Sequence, residues 1–314
     1  ADFVTGGVDG GYTGLSGQLA SVPIRIGDSS GDWRFVGGVL DVNGVGEVTH
    51  TAPDPLFEPM ISRDLALRLA DNRVTLTGAL LEPKTQVTVA DVDLAHNLNS
   101  GRGEAVLATA RLEFNDRMHP RDLTDLLVGI VAEVDGLVEG TGVIRWGPEG
   151  VPSEGTYRII DTDLAASFGP VRGLNTELHF TDLLGLETAP NQLATMREVN
   201  PGVLVEDGEM AFQFLSGSQI RIEGGRWPFA GGEIVLEPTV LNLGADGERR
   251  MNFRLTGIDA FQFVEERDLQ SIGVTGLFDG ELPIVFDRDG ARIEGGYLRS
   301  RPPGGAFSYE GEIS

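Results

Sequence analysis

The chain has 314 residues, a formal net charge of −24 and no cysteine. Such acidity argues against a nucleic-acid partner and against electrostatic adhesion to a membrane surface. The lack of cysteine removes disulfides and thiolate metal sites. Its 44 glycines are about twice the usual share; they punctuate apolar alternations without a G-X-Y period, which predicts many turns between short strands. No run of about 18 apolar residues is present to span a bilayer. The chain opens on Ala1 with no signal peptide, so the expectation is an excised or processed segment.

In chain order, Val8 to Tyr12, Leu15 to Ile26 and Trp33 to Val48 read as strands, and Ala52-Pro53-Asp54-Pro55 as a break. Pro59 to Arg73 fits a strand, with Leu65, Leu67 and Leu69 alternating, or a short helix through Ala66, Leu69 and Ala70. Val74 to Leu80, Val87 to Leu94 and Val106 to Phe114 alternate as strands. The spacing of Leu123, Leu126, Leu127, Ile130 and Val131 predicts an amphipathic helix over Pro120 to Val134. Pro120 suits its first turn, Asp122 and Asp125 its positive end, and Gly136 its termination.

Strands resume at Leu137 to Trp146, Thr156 to Ile160 and Leu174 to Phe180. Met210, Phe212 and Phe214 oppose Ala211 and Gln213; Met251, Phe253 and Leu255 oppose Asn252 and Arg254. Gln219 to Pro238 reads as a strand with Ile220 and Ile222 inward, an aromatic crossing at Trp227 and Phe229, a Gly231-Gly232 break, and a strand with Ile234 and Leu236 inward. Ile293-Glu294-Gly295-Gly296-Tyr297 repeats the start of that unit. Asp259 to Asp268 suits one helical excursion. Phe278, Leu282, Ile284 and Phe286 share a face opposite a mostly polar one that includes Val285. The sum is a mainly β chain of about sixteen to twenty short strands.

No catalytic constellation competes with this pattern. His50, His96, His119 and His179 lie far apart, in none of the metal-binding spacings. Asp287, Asp289 and Gly290 begin a calcium loop but do not complete it, and read as a hairpin turn. Leu15-Ser16-Gly17 lacks the nucleophile elbow. The glycine pairs open no phosphate-binding helix and read as bulges or close backbone approaches. Acid pairs such as Glu206-Asp207 and Glu265-Glu266 are expected among 48 acids, and a carbohydrate-active enzyme stays only as a third reading. The apolar faces suit either a packed core or an open groove for acyl chains, and alternation does not separate the two.

A set of motifs in fixed order resembles the dicarboxylate-transport-named domain of the YdbH family, in the AsmA-like group with TamB and YhdP. They are the Pro120 to Val134 segment, Gly140-Thr141-Gly142-Val143-Ile144-Arg145-Trp146, Gly169-Pro170-Val171-Arg172-Gly173-Leu174, Thr181-Asp182-Leu183, Thr188-Ala189-Pro190 and Asn200-Pro201-Gly202. Then follow Asp207-Gly208, Trp227-Pro228-Phe229-Ala230-Gly231-Gly232, Gly276-Leu277-Phe278-Asp279-Gly280-Glu281-Leu282-Pro283 and Gly295-Gly296-Tyr297-Leu298. The resemblance runs from His119 to Tyr309, and residues 1–118 fit as further strands, so the expected division is a β-rich groove segment over 1–118 and a YdbH-like domain over 119–314.

The resemblance implies an elongated, strongly curved antiparallel sheet, with one amphipathic helix, that moves phospholipids between the inner and outer membranes without catalysis, cofactor or metal. It places the chain in the periplasm, within a parent anchored in the inner membrane by an N-terminal helix. It also implies a small outer-membrane lipoprotein adding a strand near the C-terminal end, and several more strands beyond Ser314. On this reading the lipid groove is lined by Phe212, Phe214, Ile220, Ile222, Trp227 and Phe229, then Ile234, Leu236, Phe253 and Leu255, then Phe278, Leu282, Ile284 and Phe286. A structural or adhesive β-solenoid with a dry packed core is the alternative.

Overall fold

The computed structural model describes residues 7–18, 22–128, 131–166, 169–200, 203–217, 219–242, 248–266, 272–287 and 290–309. Twenty strands form one antiparallel sheet and two more form a separate pair. The first eleven are β1 (Val8–Gln18), β2 (Ile24–Val36), β3 (Val39–His50), β4 (Met60–Ala70), β5 (Arg73–Leu81), β6 (Thr88–Asn97), β7 (Arg102–Phe114), β8 (Val131–Trp146), β9 (Ser153–Ala166), β10 (Gly169–Asp182) and β11 (Glu187–Thr188). The rest are β12 (Gln192–Val199), β13 (Val205–Leu215), β14 (Gln219–Phe229), β15 (Gly232–Leu236), β16 (Thr239–Asn242), β17 (Arg249–Asp259), β18 (Ile272–Val274), β19 (Leu277–Asp287), β20 (Gly290–Ile293), β21 (Tyr297–Ser300) and β22 (Phe307–Tyr309). One α-helix, α1 (Ala260–Glu266), follows β17 and falls within the expected helical excursion. The ambiguous Pro59 to Arg73 stretch is strand β4.

The helix expected over Pro120 to Val134 does not form. Its start is two single 3₁₀ turns, Pro120–Asp122 and Asp125–Leu127, and β8 begins at Val131. The start signals were real: Asp122 accepts from the His119 backbone N–H at 2.8 Å, and Thr124 from that of Leu126 at 3.2 Å. Thr124 and Val128 are nevertheless extended, which breaks the run into separate turns. Beyond them, ladder pairing with β7 outweighs the helical period: Phe114 pairs with Gly136, the expected terminator, and Leu112 with Val138. Ile130 lies outside the described residues.

The contacts divide the chain into two compact units, 1–128 with 133–159 and 178–188, and 129–132 with 160–177 and 189–314. In the first, a meander from β1 to β8 is antiparallel throughout. Gly37 and Gly38, both at positive φ, form the β2–β3 turn and divide the Trp33 to Val48 stretch between two strands. Val22, Ala105, Ile144 and Trp146 form a buried cluster against Ile24, Leu94 and Leu107. The segment entering β2 thus meets β7 and β8 on the apolar face, although β3 to β6 separate them in the ladder. Connections pack here as well: Met118 is 1% exposed, with its sulfur beside the Thr85 hydroxyl. Glu82, also buried, takes hydrogen bonds from the backbone of Lys84 and Thr85 and from the Thr85 hydroxyl, closing the β5–β6 turn.

All three tryptophans stand opposite a glycine on the neighbouring strand: Trp33 opposite Gly10, Trp146 opposite Gly103, and Trp227 across from Gly208. Each indole lies across the space a side chain would fill. A Cβ built on Gly103 would be 2.3 Å from Trp146 Cζ2, and one on Gly208 1.9 Å from Trp227 Nε1. By crossing Gly103, Trp146 reaches the third strand of its row, where its Nε1–H donates to His96 Nδ1 at 3.0 Å.

In the second unit a line of irregularities crosses the ladder at one level. Between β13 and β14 the register slips at Glu223, with Gly224 opposite Ala211 and Ile222 opposite Phe212. On the other side of β14 the partner strand is divided: β15 pairs with Gly225 to Phe229 and β16 with Gln219 to Ile222. In that gap the Glu237 backbone N–H donates to Asn252, which pairs with Pro283 of β19. Beyond β19 the partner is divided again, into β20 and β21, and the Glu294 N–H donates to Pro283.

Two outcomes are expected in the first unit. Gly103→Ala drives a methyl into the Trp146 ring, parts it from His96 and destabilises the fold by about 1–3 kcal/mol; Gly17→Ala, with open space at its Cβ, stays within about 0.5 kcal/mol. Urea titrations followed by tryptophan fluorescence check both. Burial pushes the Glu82 carboxyl up, but the hydrogen bonds from Thr85 and Lys84 outweigh it and hold the carboxyl below its ordinary value of 4.5. The carboxylate therefore adds stability that is present above pH 4.5 and lost as pH falls through the lowered value. Glu82→Gln is less stable than the parent at pH 7, and the gap between their melting temperatures narrows as pH falls below 4.5.

Candidate functional site

The site is a continuous apolar face of the second unit. In β13, Gly208, Met210, Phe212 and Phe214 share one side by alternation, and Gly208 and Phe212 are buried. Register carries that side to β14 in two pieces: Phe212 opposes Ile222 and Phe214 opposes Ile220, while Met210 opposes Gly225, next in line with Trp227 and Phe229. The residue numbers change from even to odd because Glu223 is the extra residue of a bulge. A one-residue slip reverses every side chain beyond it. Without that bulge, Trp227 and Phe229 would face away from the isoleucines.

The same face runs on through Ile234 and Leu236 of β15, opposite Trp227 and Gly225, and through Leu255 and Phe253 of β17, opposite Ile234 and Leu236. Leu282 and Ile284 of β19 oppose Phe253 and Met251, and Phe278 opposes Ile258. Phe286 follows by alternation. All fourteen residues expected to line a groove therefore stand on one side of one sheet. Seven are buried: Phe212, Ile222, Trp227, Phe229, Leu236, Leu255 and Phe286. The other seven, Phe214, Ile220, Ile234, Phe253, Phe278, Leu282 and Ile284, are half-buried and keep a solvent-facing portion.

Three features differ from the sequence reading. Trp227 and Phe229 do not cross between strands; they belong to β14, which runs unbroken through Gly224-Gly225. The hairpin turn is Ala230-Gly231, and Gly232 opens β15. The two Ile-Glu-Gly-Gly units are not copies of one structure, since the first is a bulge inside a strand and the second separates β20 from β21. In consequence Trp227 is on the apolar face, whereas Tyr297 opposes Glu281 on the other face and is exposed. Val285 is the third: it stands on the polar side yet is 1% exposed.

Val285 is covered by charge. Its register partners on either side are Arg250 and Arg292. Glu248 and Glu294 each pair with both arginines, closing a four-membered ring. The guanidinium stems cover the valine while their heads stay wet. Donating hydrogen bonds to Glu248 and then Glu294 pushes the Arg250 pKa up; accepting them from Arg292 and then Arg250 pulls the Glu294 carboxyl down. Arg226 with Glu233 and Arg301 with Asp279 continue the charged side.

Leu241 of β16 also belongs to the apolar face, opposite Ile220, and is buried. Sequence reasoning missed it because its strand is only four residues long. Met196 and Ala194 of β12, opposite Gly208 and Met210, extend the face and lie in a stretch to which the sequence reading assigned no strand. At the other margin Phe263 of α1 meets Phe229 edge-on, with ring centroids 5.9 Å apart.

Among the described residues no cluster of His, Cys, Asp or Glu could hold a metal, and no helix is long and apolar enough to cross a membrane. Residues 4–314 match the family model described as YdbH-like, intermembrane phospholipid transport protein YdbH. The match takes in residues 4–118, where the sequence motifs did not reach. No curated protein and no solved structure matches the chain. An acidic, antiparallel chain with one apolar face and one charged face thus belongs to the YdbH-like family of intermembrane phospholipid transport proteins.

Proposed function

We propose that the apolar face of the second unit carries phospholipid acyl chains, and that the chain is a periplasmic segment of a bridge along which lipids pass between the two membranes. The observation that carries this reading is the placement of fourteen large apolar side chains from five strands on one side, half of them still partly open. Each buried methylene is worth about 0.8 kcal/mol, so taking two long acyl chains through water costs on the order of 20 kcal/mol. A continuous apolar lining removes most of that barrier while head groups stay with the charged rim. Such transport asks for no nucleophile, acid–base pair or metal, in keeping with a lipid-transport family rather than an enzyme family.

The same reading takes the chain as part of a longer parent held in the inner membrane. It gives the margin at β20 and β21 to a small outer-membrane lipoprotein. Among the described residues both strands pair only with β19, and Ile293, Tyr297 and Leu298 there are exposed. An open strand edge with apolar side chains suits strand addition. A dry structural face is the second reading, favoured by the closed cluster of Val22, Ala105, Ile144 and Trp146 in the first unit.

A photoreactive amino acid at Phe212, Phe253 or Ile284 is expected to crosslink phospholipid in cells, while one at Arg254, on the charged side, is not. Crosslinking at none of the three, or equally at all four, would sink the transport reading. Phe253→Glu places a charge on the lining and is expected to cut the phospholipid recovered with the purified protein at least about fivefold, the effect of leaving one charge poorly solvated.

A further inference from the structure

The two buried tryptophans are built alike and finished differently. Trp146 crosses Gly103 and finds an acceptor in the next strand of its row, His96 Nδ1. Trp227 also lies over a glycine, but by its other edge, with Nε1 and Cδ1 over Gly208 and its far edge, Cη2 and Cζ3, over Gly225 of its own strand. The next residue in its row is Met196, opposite Gly208, whose thioether is a weak acceptor. Trp227 is 6% exposed, and its Nε1–H has no hydrogen-bond partner among the described residues. A buried donor left unpaired is costly, and evolution normally supplies an acceptor or an apolar ring in its place. Phenylalanine is used at Phe212, Phe214, Phe229 and Phe253 on this same face, so the indole nitrogen is a departure from its surroundings.

We infer that Trp227 Nε1–H is the donor for an ester carbonyl oxygen of the lipid on this face, which makes the face selective for ester-linked over ether-linked acyl chains. The inference rests on the lipid reading above and adds the polar group that the cargo must bring. Everything else here, Ile234, Leu236, Met210 and Phe212, offers only apolar contact. An acyl ester is the one part of a lipid tail that carries an acceptor, at its glycerol end, and it meets the unpaired donor when the tail lies along the lining. Met196, with three rotatable bonds and an adaptable thioether, is the neighbour that gives way as the carbonyl arrives. The bond is a single neutral one, so it favours the ester without trapping it.

Indole ¹⁵N–¹H spectra of the whole chain read this directly, because three tryptophans give three signals, assigned with Trp33→Phe and Trp146→Phe. Dipalmitoylphosphatidylethanolamine and its dihexadecyl ether analogue, each supplied in mixed micelles, are the probes. The expected result is a downfield shift of the Trp227 indole proton with the ester lipid alone, while the Trp146 signal, already bonded to His96, stays in place with both. In competition the ester lipid binds about fivefold better than the ether, the worth of one net hydrogen bond, and Trp227→Phe brings that ratio to about one with total lipid binding retained. Equal shifts or equal binding for the two lipids in the parent chain overturn the selectivity and leave the lipid reading standing. Binding of neither overturns both.

Discussion

Side-chain alternation in an antiparallel sheet has a period of two, and nothing in this molecule is independent of it. A slip of one residue turns every side chain beyond it to the opposite face. In a chain with no cysteine and one short helix, no other element can restore the sides once they are exchanged. The irregularities are therefore placed where the apolar residues change parity. Ile220 and Ile222 are even, Trp227 and Phe229 odd, and the bulge at Glu223 lies between them. Ile234 and Leu236 are even and Leu241 odd, and the break at Glu237-Pro238 separates them. Ile293 is odd and Leu298 even, and Glu294 to Gly296 intervene. Parity and bulge together keep one face apolar across strands that no single alternation would have kept in phase.

Glycine serves the same end by a second route. A large ring on a pleated surface needs room across the neighbouring strand, and the residue opposite each tryptophan supplies it by having no side chain. This is why glycines recur within strands that gain nothing from their backbone freedom. Gly103 and Gly208 are not at positive φ; what they provide is space. The arrangement also fixes register, since a one-residue slip would set Trp146 against Glu104 or Arg102 in place of Gly103.

Strand identity was legible because period-two alternation survives in almost every element, and the side of most apolar residues followed from it; Trp227 and Phe229 are the exceptions, placed by the bulge at Glu223. Leu241 escaped because four residues are too few to display a period. The Pro120 to Val134 segment misled because Leu123, Leu126, Leu127, Ile130 and Val131 do hold helical spacing. What cancels it is pairing with β7, a partner distant in sequence that no local pattern discloses. The Ile-Glu-Gly-Gly likeness misled for a related reason. Each copy lies on the line of irregularities in the second unit, but their partners differ: β14 is paired through its bulge by β13, whereas among the described residues β20 and β21 have only β19. Val285 was assigned to the right side and the wrong environment, because cover by Arg250 and Arg292 depends on two flanking strands at once.

An apolar face that stays partly open invites a second copy to cover it, and the charge distribution opposes that outcome. Individually, exposed pairs such as Arg226 with Glu233 contribute little to stability. Their arrangement does more, since arginines are spent pairing with neighbours on the charged side while 48 acids against 24 bases leave a large negative excess. Two such chains approaching face to face carry that excess with them, and their mutual repulsion opposes burial of the apolar area between them. An uncharged apolar group meets no such repulsion at that face. The net charge of −24, which at first only argued against anionic partners, thus acts as a filter on what can reach the apolar face.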